Sequence, residues 1–155
     1  MENGYILASE SCAIDSVGGE LVRDVKPGEA VIIEDGELRF ERIAESNQKA
    51  ICVFEYIYFA RPDSIIDGRS VYSVRFDIGR TLAKENPVEV DIISPVPDSG
   101  TTSSIGYAYE SGIPYIEALI KNRYVGRTFI MPGQRSRELS VQLKMNALKE
   151  NVRGR

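Results

Sequence analysis

The chain has 155 residues, of which 43% are hydrophobic and 27% charged, a composition typical of a globular protein that can bury a core. It has no histidine, which excludes Ser-His and Cys-His nucleophiles, and its two cysteines are too few for a disulfide framework. No apolar run reaches the roughly 20 residues of a membrane helix, and the N-terminus does not read as a signal peptide, so we expect a cytoplasmic protein.

The net charge of −4 is distributed unevenly along the chain. Residues 121–155 contain nine lysines and arginines and two glutamates, a net charge of +7, which leaves −11 for the first 120 residues. A basic C-terminal part favours an anionic partner, although a solvated basic tail would give the same charge count.

The N-terminal part of the chain predicts strands and turns. Residues 4–9 form an apolar run suited to a buried strand. Residues 30–33 and 38–40 flank an Asp-Gly pair at positions 35 and 36, the pattern of a β-hairpin. Residues 44–50 are polar and predict a loop. Two further turns are predicted at Gly18-Gly19 and Pro27-Gly28.

The pattern changes after residues 51–60, a strongly apolar and aromatic run. Residues 70–85 place apolar side chains three or four positions apart, which predicts an amphipathic helix. The elements predicted after it are a strand at 88–93, a helix at 101–110 capped by Gly112, a strand at 113–116 and a helix at 136–150. Alternating helices and strands predict an α/β fold with a parallel sheet, and a domain boundary is expected near residues 50–65.

The turn before the helix at 101–110 carries the first functional pattern. In an α/β sheet, ligands bind beyond the carboxyl ends of the strands, where a helix N-terminus offers backbone N–H groups to an anion. Gly100 allows close approach to the backbone, and hydroxyl oxygens can bind phosphate or magnesium. The polar residues here are Asp98, Ser99, Thr101 and Thr102. Asp and Ser are also favoured helix caps, so the turn alone leaves both roles open.

A second pattern, over residues 118–137, favours the ligand role. Residues 128–134 are too apolar for a solvated linker, and Pro132-Gly133 interrupts any helix there. An apolar and basic loop with a glycine hinge suits a lid over an anionic substrate, with a basic surface loop or an RNA contact as alternatives. The segment has no acidic residue and five basic ones, namely Lys121, Arg123, Arg127, Arg135 and Arg137.

Several of these segments together resemble one enzyme family, the glutamine phosphoribosylpyrophosphate amidotransferases. The segments that carry this resemblance most specifically are Phe54–Ser64, Pro95–Gly100 and Lys121–Gln134. Ala8–Ser11 and Arg23–Glu29 are also similar to the closing part of that family's glutaminase domain. The similarity covers nearly the whole chain in the family's order.

The resemblance implies an α/β fold in two parts. Residues 1–50 would be the β-rich C-terminal end of an N-terminal-nucleophile glutaminase domain, and residues 51–155 the first part of a type I phosphoribosyltransferase parallel sheet. In that family, ammonia released from glutamine displaces pyrophosphate from phosphoribosylpyrophosphate, which gives phosphoribosylamine for de novo purine biosynthesis. The implied partners are phosphoribosylpyrophosphate and this ammonia, without nucleic acid or membrane, and full-length members are expected to be homo-oligomers.

The resemblance also implies roles for individual residues. Residues 95–102 would be the pyrophosphate loop, with Ser99 at a magnesium position, and residues 121–137 the flexible lid. Cys52 lies where iron–sulfur members place one of four cluster cysteines, with a buried apolar cysteine as the alternative. The residues implied to bind substrate are Asp98, Ser99, Gly100, Thr101 and Thr102. Those implied to act on phosphate charge or the ammonia path are Lys121, Arg123, Tyr124, Arg127 and Ile130.

Two parts of the family pattern are not found in this sequence. Residue 1 is methionine rather than the family's nucleophilic cysteine, and the two-acid loop that binds the ribose phosphate is expected beyond Arg155. We therefore expect an internal fragment that is inactive alone. A non-catalytic phosphometabolite-binding or subunit-like module is the alternative.

Overall fold

The computed structural model describes residues 4–45, 48, 50–128, 130 and 132–155. The predicted loop at 44–50 and the predicted lid each include residues outside this described part, namely 46, 47, 49, 129 and 131. The chain, of mixed helix and strand content, forms two compact units that divide between Tyr72 and Ser73. Over the described residues, no helix combines the length and apolar character needed to cross a membrane.

The first unit contains a β-hairpin of strands β1 (Glu29–Glu34) and β2 (Glu37–Arg42). The strands are antiparallel, and every residue of one is paired with a residue of the other. The turn residues Asp35 and Gly36 have φ values of 50° and 82°, as a type I′ turn requires. The predicted hairpin is confirmed, because Asp and Gly tolerate these left-handed conformations.

An ion pair joins the two ends of the segment Arg23–Glu29, which leads into the hairpin. Arg23 donates to both carboxylate oxygens of Glu29, at 2.7 and 2.9 Å, and its guanidinium lies 3.5 Å from the centre of the Phe40 ring. The Lys26 N–H donates to the same carboxylate at 3.0 Å. The bonds from Arg23 and then from the Lys26 backbone lower the pKa of Glu29 to about 2. The Arg23–Glu29 segment is therefore held as a closed loop.

Folding stability should depend on pH through this ion pair. Because the folded-state pKa of Glu29 is lowered, its contribution is complete above the usual pKa of 4.5 and is lost as the pH falls toward about 2. We expect the melting temperature of an E29Q variant, followed by circular dichroism, to change less with pH in this window than that of the parent chain. An E37Q variant at the exposed first residue of β2 is the matched control and should keep the parent's profile. Parallel profiles for E29Q and the parent would contradict this prediction.

The predicted strand at residues 4–9 is wrong, since this segment has no regular secondary structure. Its apolar side chains, Tyr5 to Leu7, are 46–61% exposed and border a cavity of about 150 Å³ beside the hairpin. A strand needs a neighbour to pair with its N–H and C=O groups. Among the described residues, β1 and β2 pair with each other and not with residues 4–9.

Glu10 connects the start of helix α1 (Ser11–Asp15) to a distant loop of the same unit. The Arg61 N–H and the Ser64 hydroxyl each donate to one Glu10 carboxylate oxygen at 2.8 Å. Ser64 is fully buried, so its hydroxyl depends on this acceptor rather than on water. Two segments that the sequence separates by 54 residues are thus held by one carboxylate.

The apolar and aromatic run forms a π-helical turn, Glu55–Phe59, for which the sequence predicted no type of element. Tyr56 is buried in this turn, and its hydroxyl donates to the Ile66 carbonyl at 2.8 Å. The bond connects the turn to a short antiparallel hairpin of β3 (Ile65–Ile66) and β4 (Arg69–Ser70).

Two predicted helices are confirmed as α2 (Val71–Glu85) and α3 (Thr101–Ser111). Gly112 ends α3 in the left-handed conformation, with φ of 72°, as the C-terminal cap predicts. The two helices are linked on their polar side by Arg80, whose Nε lies 2.8 Å from Glu110 Oε2.

Glycines allow the backbones of α2 and α3 to touch. A β-carbon on Gly79 would lie 1.9 Å from the Ser103 carbonyl oxygen, and one on Gly106 would lie 2.0 Å from the Phe76 carbonyl oxygen. Any larger residue at either position would therefore force the helices apart. This contact fixes the position of α3 in the second unit.

The predicted strands at 88–93 and 113–116 are reduced to one bridge, between Ile93 and Tyr115. Two backbone hydrogen bonds of 2.9 and 3.0 Å join Ile93 to the second segment. The bridge is parallel, as predicted for two strands connected by a helix. The remaining residues of both segments have no neighbouring strand among those described, and this explains why the strands do not extend further.

The predicted helix at 136–150 is wrong in its second half. Helix α4 (Gln134–Lys144) ends where the chain turns extended, and β6 (Met145–Ala147) pairs antiparallel with β5 (Leu119–Lys121). A short helix, α5 (Lys149–Val152), follows. The apolar spacing indicated a single helix because it carries no information about β5, whose backbone groups compete for residues 145–147.

Candidate functional site

The turn at residues 95–100 leads directly into α3. Its backbone is compact, with the Gly100 N–H donating to the Val96 carbonyl at 3.3 Å and the Thr101 N–H donating to the Asp98 carbonyl at 3.2 Å. The N-cap residue is Gly100, which has no side chain to accept hydrogen bonds from the first helical turn. Asp98 therefore supports the helix start through its backbone carbonyl, and its carboxylate is available for a different contact.

The hydroxyls of the turn differ in accessibility. Ser99 and Thr101 are partly exposed, whereas Thr102 is only 6% exposed. A ligand at the helix start could reach the first two hydroxyls directly. Thr102, for which the resemblance also implies a substrate role, is buried in the first turn of α3.

Lys121, the last residue of β5, reaches back to this turn. Its Nζ lies 2.5 Å from Asp98 Oδ2, and the two side chains are 27% and 61% exposed. The fold thus brings together the two segments that the sequence singled out, although 23 residues separate this pair. The ammonium group is held by a carboxylate that an anionic ligand could replace, because an exposed ion pair of this kind is weak.

The segment that follows β5, Asn122–Thr128, is called the cationic loop here. It carries Arg123 and Arg127 as exposed residues, and neither guanidinium forms an ion pair within the described part of the chain. Tyr124 is 100% exposed and contacts the rest of the loop through its N–H, which donates to the Asn122 side chain at 3.0 Å. The structure therefore presents two unpaired arginines and one tyrosine to solvent.

The predicted lid continues past the cationic loop. Ile130 is 75% exposed, and Phe129 and Met131 lie outside the described residues. From Gln134 onward the lid segment is helical, as the beginning of α4. The interruption predicted at Pro132-Gly133 agrees with this, since Gly133 is the N-cap of α4 with φ of 81°.

The two cysteines have different surroundings. Cys12 is buried, and its thiol lies 3.8 Å from the Glu10 carboxylate, whereas Cys52 is exposed. Cys52 is therefore not the buried apolar cysteine of the alternative interpretation. No cluster of three or more histidine, cysteine, aspartate or glutamate side chains suited to a metal occurs in the regions that the structure describes.

Two residues that the sequence analysis did not select support the site. Ser94 accepts the Ala118 N–H at 2.9 Å, which holds the approach to β5 against the segment before the turn. Lys144 donates to the Gly126 carbonyl of the cationic loop at 2.9 Å. Both contacts join residues far apart in sequence, so no local pattern could have indicated them.

Comparison with known proteins identifies close relatives over the whole chain. The amidophosphoribosyltransferase of Archaeoglobus fulgidus is 66% identical over all 155 residues, and that of Mycobacterium bovis is 52% identical over the same length. A solved glutamine phosphoribosylpyrophosphate amidotransferase from B. subtilis, complexed with ADP and GMP, superimposes with a TM-score of 0.81 at 51% identity over 92% of this chain. No protein-family model matches the chain.

The chain spans about a third of the length of these relatives, 34% of the first and 29% of the second. It covers 31% of the B. subtilis structure. The sequence agrees over all 155 residues and the fold over 92% of them, so the resemblance stated from the motifs is confirmed. The chain is thus similar, along its whole length, to one part of the amidophosphoribosyltransferases.

Proposed function

We propose that this chain is the part of an amidophosphoribosyltransferase that binds the pyrophosphate group of phosphoribosylpyrophosphate. The complete reaction would use ammonia from glutamine to form phosphoribosylamine in purine biosynthesis. The observation that carries the proposal is the contact of Lys121 with Asp98, because it places a cation of the second motif on the turn of the first. The identity of 66% with a curated amidophosphoribosyltransferase supports the same conclusion.

The chemistry follows from where charge develops. When ammonia attacks the ribose carbon, the bond to pyrophosphate breaks and negative charge accumulates on the leaving group. Lys121 would exchange its Asp98 partner for a pyrophosphate oxygen, and the unpaired Arg123 and Arg127 would supply further positive charge. Backbone N–H groups at the start of α3 would bind the same anion, since Gly100 leaves this helix end without a side-chain cap.

The turn at residues 95–100 suits a magnesium ion whose ligands come mainly from the phosphate oxygens of the substrate. The turn offers one carboxylate, Asp98, and the hydroxyl of Ser99, and Mg²⁺ commonly binds one or two protein oxygens together with substrate phosphates. Asp98 and Ser99 would hold the ion, which when bound neutralises charge on pyrophosphate. An iron–sulfur cluster needs four thiolates, so the two cysteines here do not complete one, and Cys52 could contribute only within a longer polypeptide.

The proposal extends to the two domains to which the parts of this chain would belong. Residues 1–50 would close an N-terminal-nucleophile glutaminase domain, and residues 51–155 would open a type I phosphoribosyltransferase sheet, of which the Ile93–Tyr115 bridge is the parallel pairing present. Ser99, Thr101 and Thr102 are assigned to the pyrophosphate loop, and Tyr124 and Ile130 to the wall of the ammonia path. The full-length protein would be cytoplasmic and would form a homo-oligomer.

A chimera tests the function directly. The matching third of the A. fulgidus enzyme is replaced by this chain, and phosphoribosylamine formation is measured with ammonia and with glutamine. We expect an active chimera, in which K121A lowers kcat/KM for phosphoribosylpyrophosphate at least about tenfold, the value of one charge-assisted contact. K149A removes the same charge from exposed α5 and should change kcat/KM by less than about twofold.

The outcomes separate the two functional hypotheses. A folded but inactive chimera would contradict the enzyme and favour the non-catalytic binding module. Equal losses for K121A and K149A would show that the chain attracts the substrate by overall charge, without a specific site at the turn.

A further inference from the structure

The parallel bridge of the second unit ends beside the turn at residues 95–100, because the residue that would continue it is a proline. Ile93 donates its N–H to the Pro114 carbonyl at 2.9 Å, and its own carbonyl accepts the Ile116 N–H at 3.0 Å. Parallel strands repeat this pair of bonds at every second residue, which makes residue 95 the next in line. Pro95 has no N–H to donate, so the backbone cannot form the complete next pair.

The Ser94 side chain takes over one bond of that incomplete pair. In a regular ladder the Ala118 N–H would be donated to the carbonyl of residue 95, whereas here the Ser94 hydroxyl accepts it at 2.9 Å. Ala118 is only 6% exposed, so its N–H depends on this acceptor rather than on water. The Ala118 carbonyl in turn accepts the Leu148 N–H at 2.9 Å. The backbone at Ala118 is therefore fixed through both its N–H and its carbonyl.

This hydrogen bond sets the register of the strand that carries a cation of the site. Strand β5 begins directly after Ala118 and ends at Lys121. Because side chains alternate between the two faces of a strand, a slip of one residue would turn Lys121 away from the turn. On the other segment, Asp98 follows Ser94 by four residues and forms the ion pair with Lys121. The Ser94–Ala118 bond thus lies shortly before the ion pair on both segments.

We propose that Ser94 is a positioning residue of the site, whose hydroxyl keeps Lys121 opposite the turn at residues 95–100 while Pro95 lets that turn leave the sheet. The identity of the ligand, a pyrophosphate group, rests on the proposed function. The positioning itself involves β5 and the turn, and it requires no particular conformation of the residues after Lys121.

Binding of inorganic pyrophosphate to the 155-residue chain tests this role. Isothermal titration calorimetry with Mg²⁺ present gives the Kd of the parent, of S94A and K121A, and of the double variant. We expect S94A to raise the Kd about fivefold, the effect of one ordinary hydrogen bond, and S94T, which keeps the hydroxyl, to stay within about twofold of the parent. In the K121A background, S94A should change the Kd by less than about twofold, because the group that Ser94 positions is then absent.

S111A is the matched control for the loss of a serine hydroxyl. The Ser111 hydroxyl also accepts a backbone N–H, that of Ile113 at 3.3 Å, but it lies at the opposite end of α3 from the turn. We expect S111A to leave the Kd within about twofold of the parent. If S94A does not fold, S94C replaces it, because a thiol sulfur is only a weak acceptor.

The possible outcomes distinguish positioning from a general contribution to folding. Equal losses from S94A in the parent and in the K121A background would overturn the proposal, as would an unchanged Kd for S94A. A parent chain that does not bind pyrophosphate would contradict the proposed function and the role of Ser94 together. Pyrophosphate binding that depends on Ser94, in a chain whose chimera is inactive, would leave the positioning role standing without the enzymatic one.

Discussion

Replacing either helix-contact glycine, as G79A or G106A, is expected to lower the free energy of unfolding by about 3 kcal/mol. A β-carbon would lie about 2 Å from a carbonyl oxygen of the facing helix, at 1.9 Å for Gly79 and 2.0 Å for Gly106. The obstructing atoms belong to backbone and cannot rotate away, so the helices must separate. Helix propensity alone would make alanine more stable than glycine by about 1 kcal/mol. The sign of the change therefore shows which effect dominates.

Urea unfolding followed by circular dichroism measures this change, and G126A provides the matched control. A β-carbon on Gly126, in the same unit, would have no neighbour within 4 Å. We expect G126A to stay within about 0.5 kcal/mol of the parent. If G79A and G106A were both as stable as the parent, the close contact of α2 and α3 would be wrong.

The same contact matters for the site because α3 begins at Thr101, directly after the turn at 95–100. Gly106 lies in the second turn of that helix, so moving α3 away from α2 also moves the residues that precede it. Asp98 and Lys121 belong to different segments, and their contact depends on the position of the helix start. We therefore expect G106A to weaken the site as well as the fold.

The elements that the sequence predicted correctly are those defined by short-range patterns. The Asp-Gly pair at 35 and 36 specifies its turn by itself, and the apolar spacing in 70–85 specifies a helix whatever it packs against. Gly112 ends α3 for a local reason as well, since glycine takes the left-handed conformation at low cost.

The errors occur where pairing with a distant segment decides the structure. Residues 4–9 and 88–93 have the composition of strands, but composition does not supply a neighbouring strand. Residues 145–147 read as helix and instead pair with β5. In each case the deciding partner lies outside the window in which hydrophobic spacing is read.

The candidate site, too, could be predicted where local sequence indicates it and not where distant residues meet. The motif at 95–102 and the basic residues after Lys121 could be selected from the sequence because their residue types suit an anion. The ion pair between Asp98 and Lys121 could not, since 23 residues separate them and the sequence analysis gave each a role toward the substrate. Lys144 was missed because a lone lysine at the end of a helix has no distinguishing pattern.

Removing the Glu10 carboxylate is expected to have the second-largest effect on stability. E10A would leave the Arg61 N–H and the Ser64 hydroxyl without their acceptor, and Ser64 is fully buried. An unsatisfied buried group costs about 1–3 kcal/mol, so we expect a loss of about 2 kcal/mol in the free energy of unfolding. Because Ser11 also accepts the Ile65 N–H at 2.8 Å, one bond between the two segments would remain.

E10Q separates the hydrogen bonds from the charge, since an amide oxygen can still accept both donors. The bond from the Arg61 backbone, and then that from Ser64, lowers the pKa of Glu10. The stabilisation is therefore complete above the usual pKa of 4.5 and is lost as the pH falls through the lowered value. We expect E10Q to retain much of the stability that E10A loses at neutral pH, and to depend less on pH below 4.5 than the parent. Equal stability of E10A and the parent would mean that Glu10 does not hold the two segments together, and that burial of Ser64 has another cause.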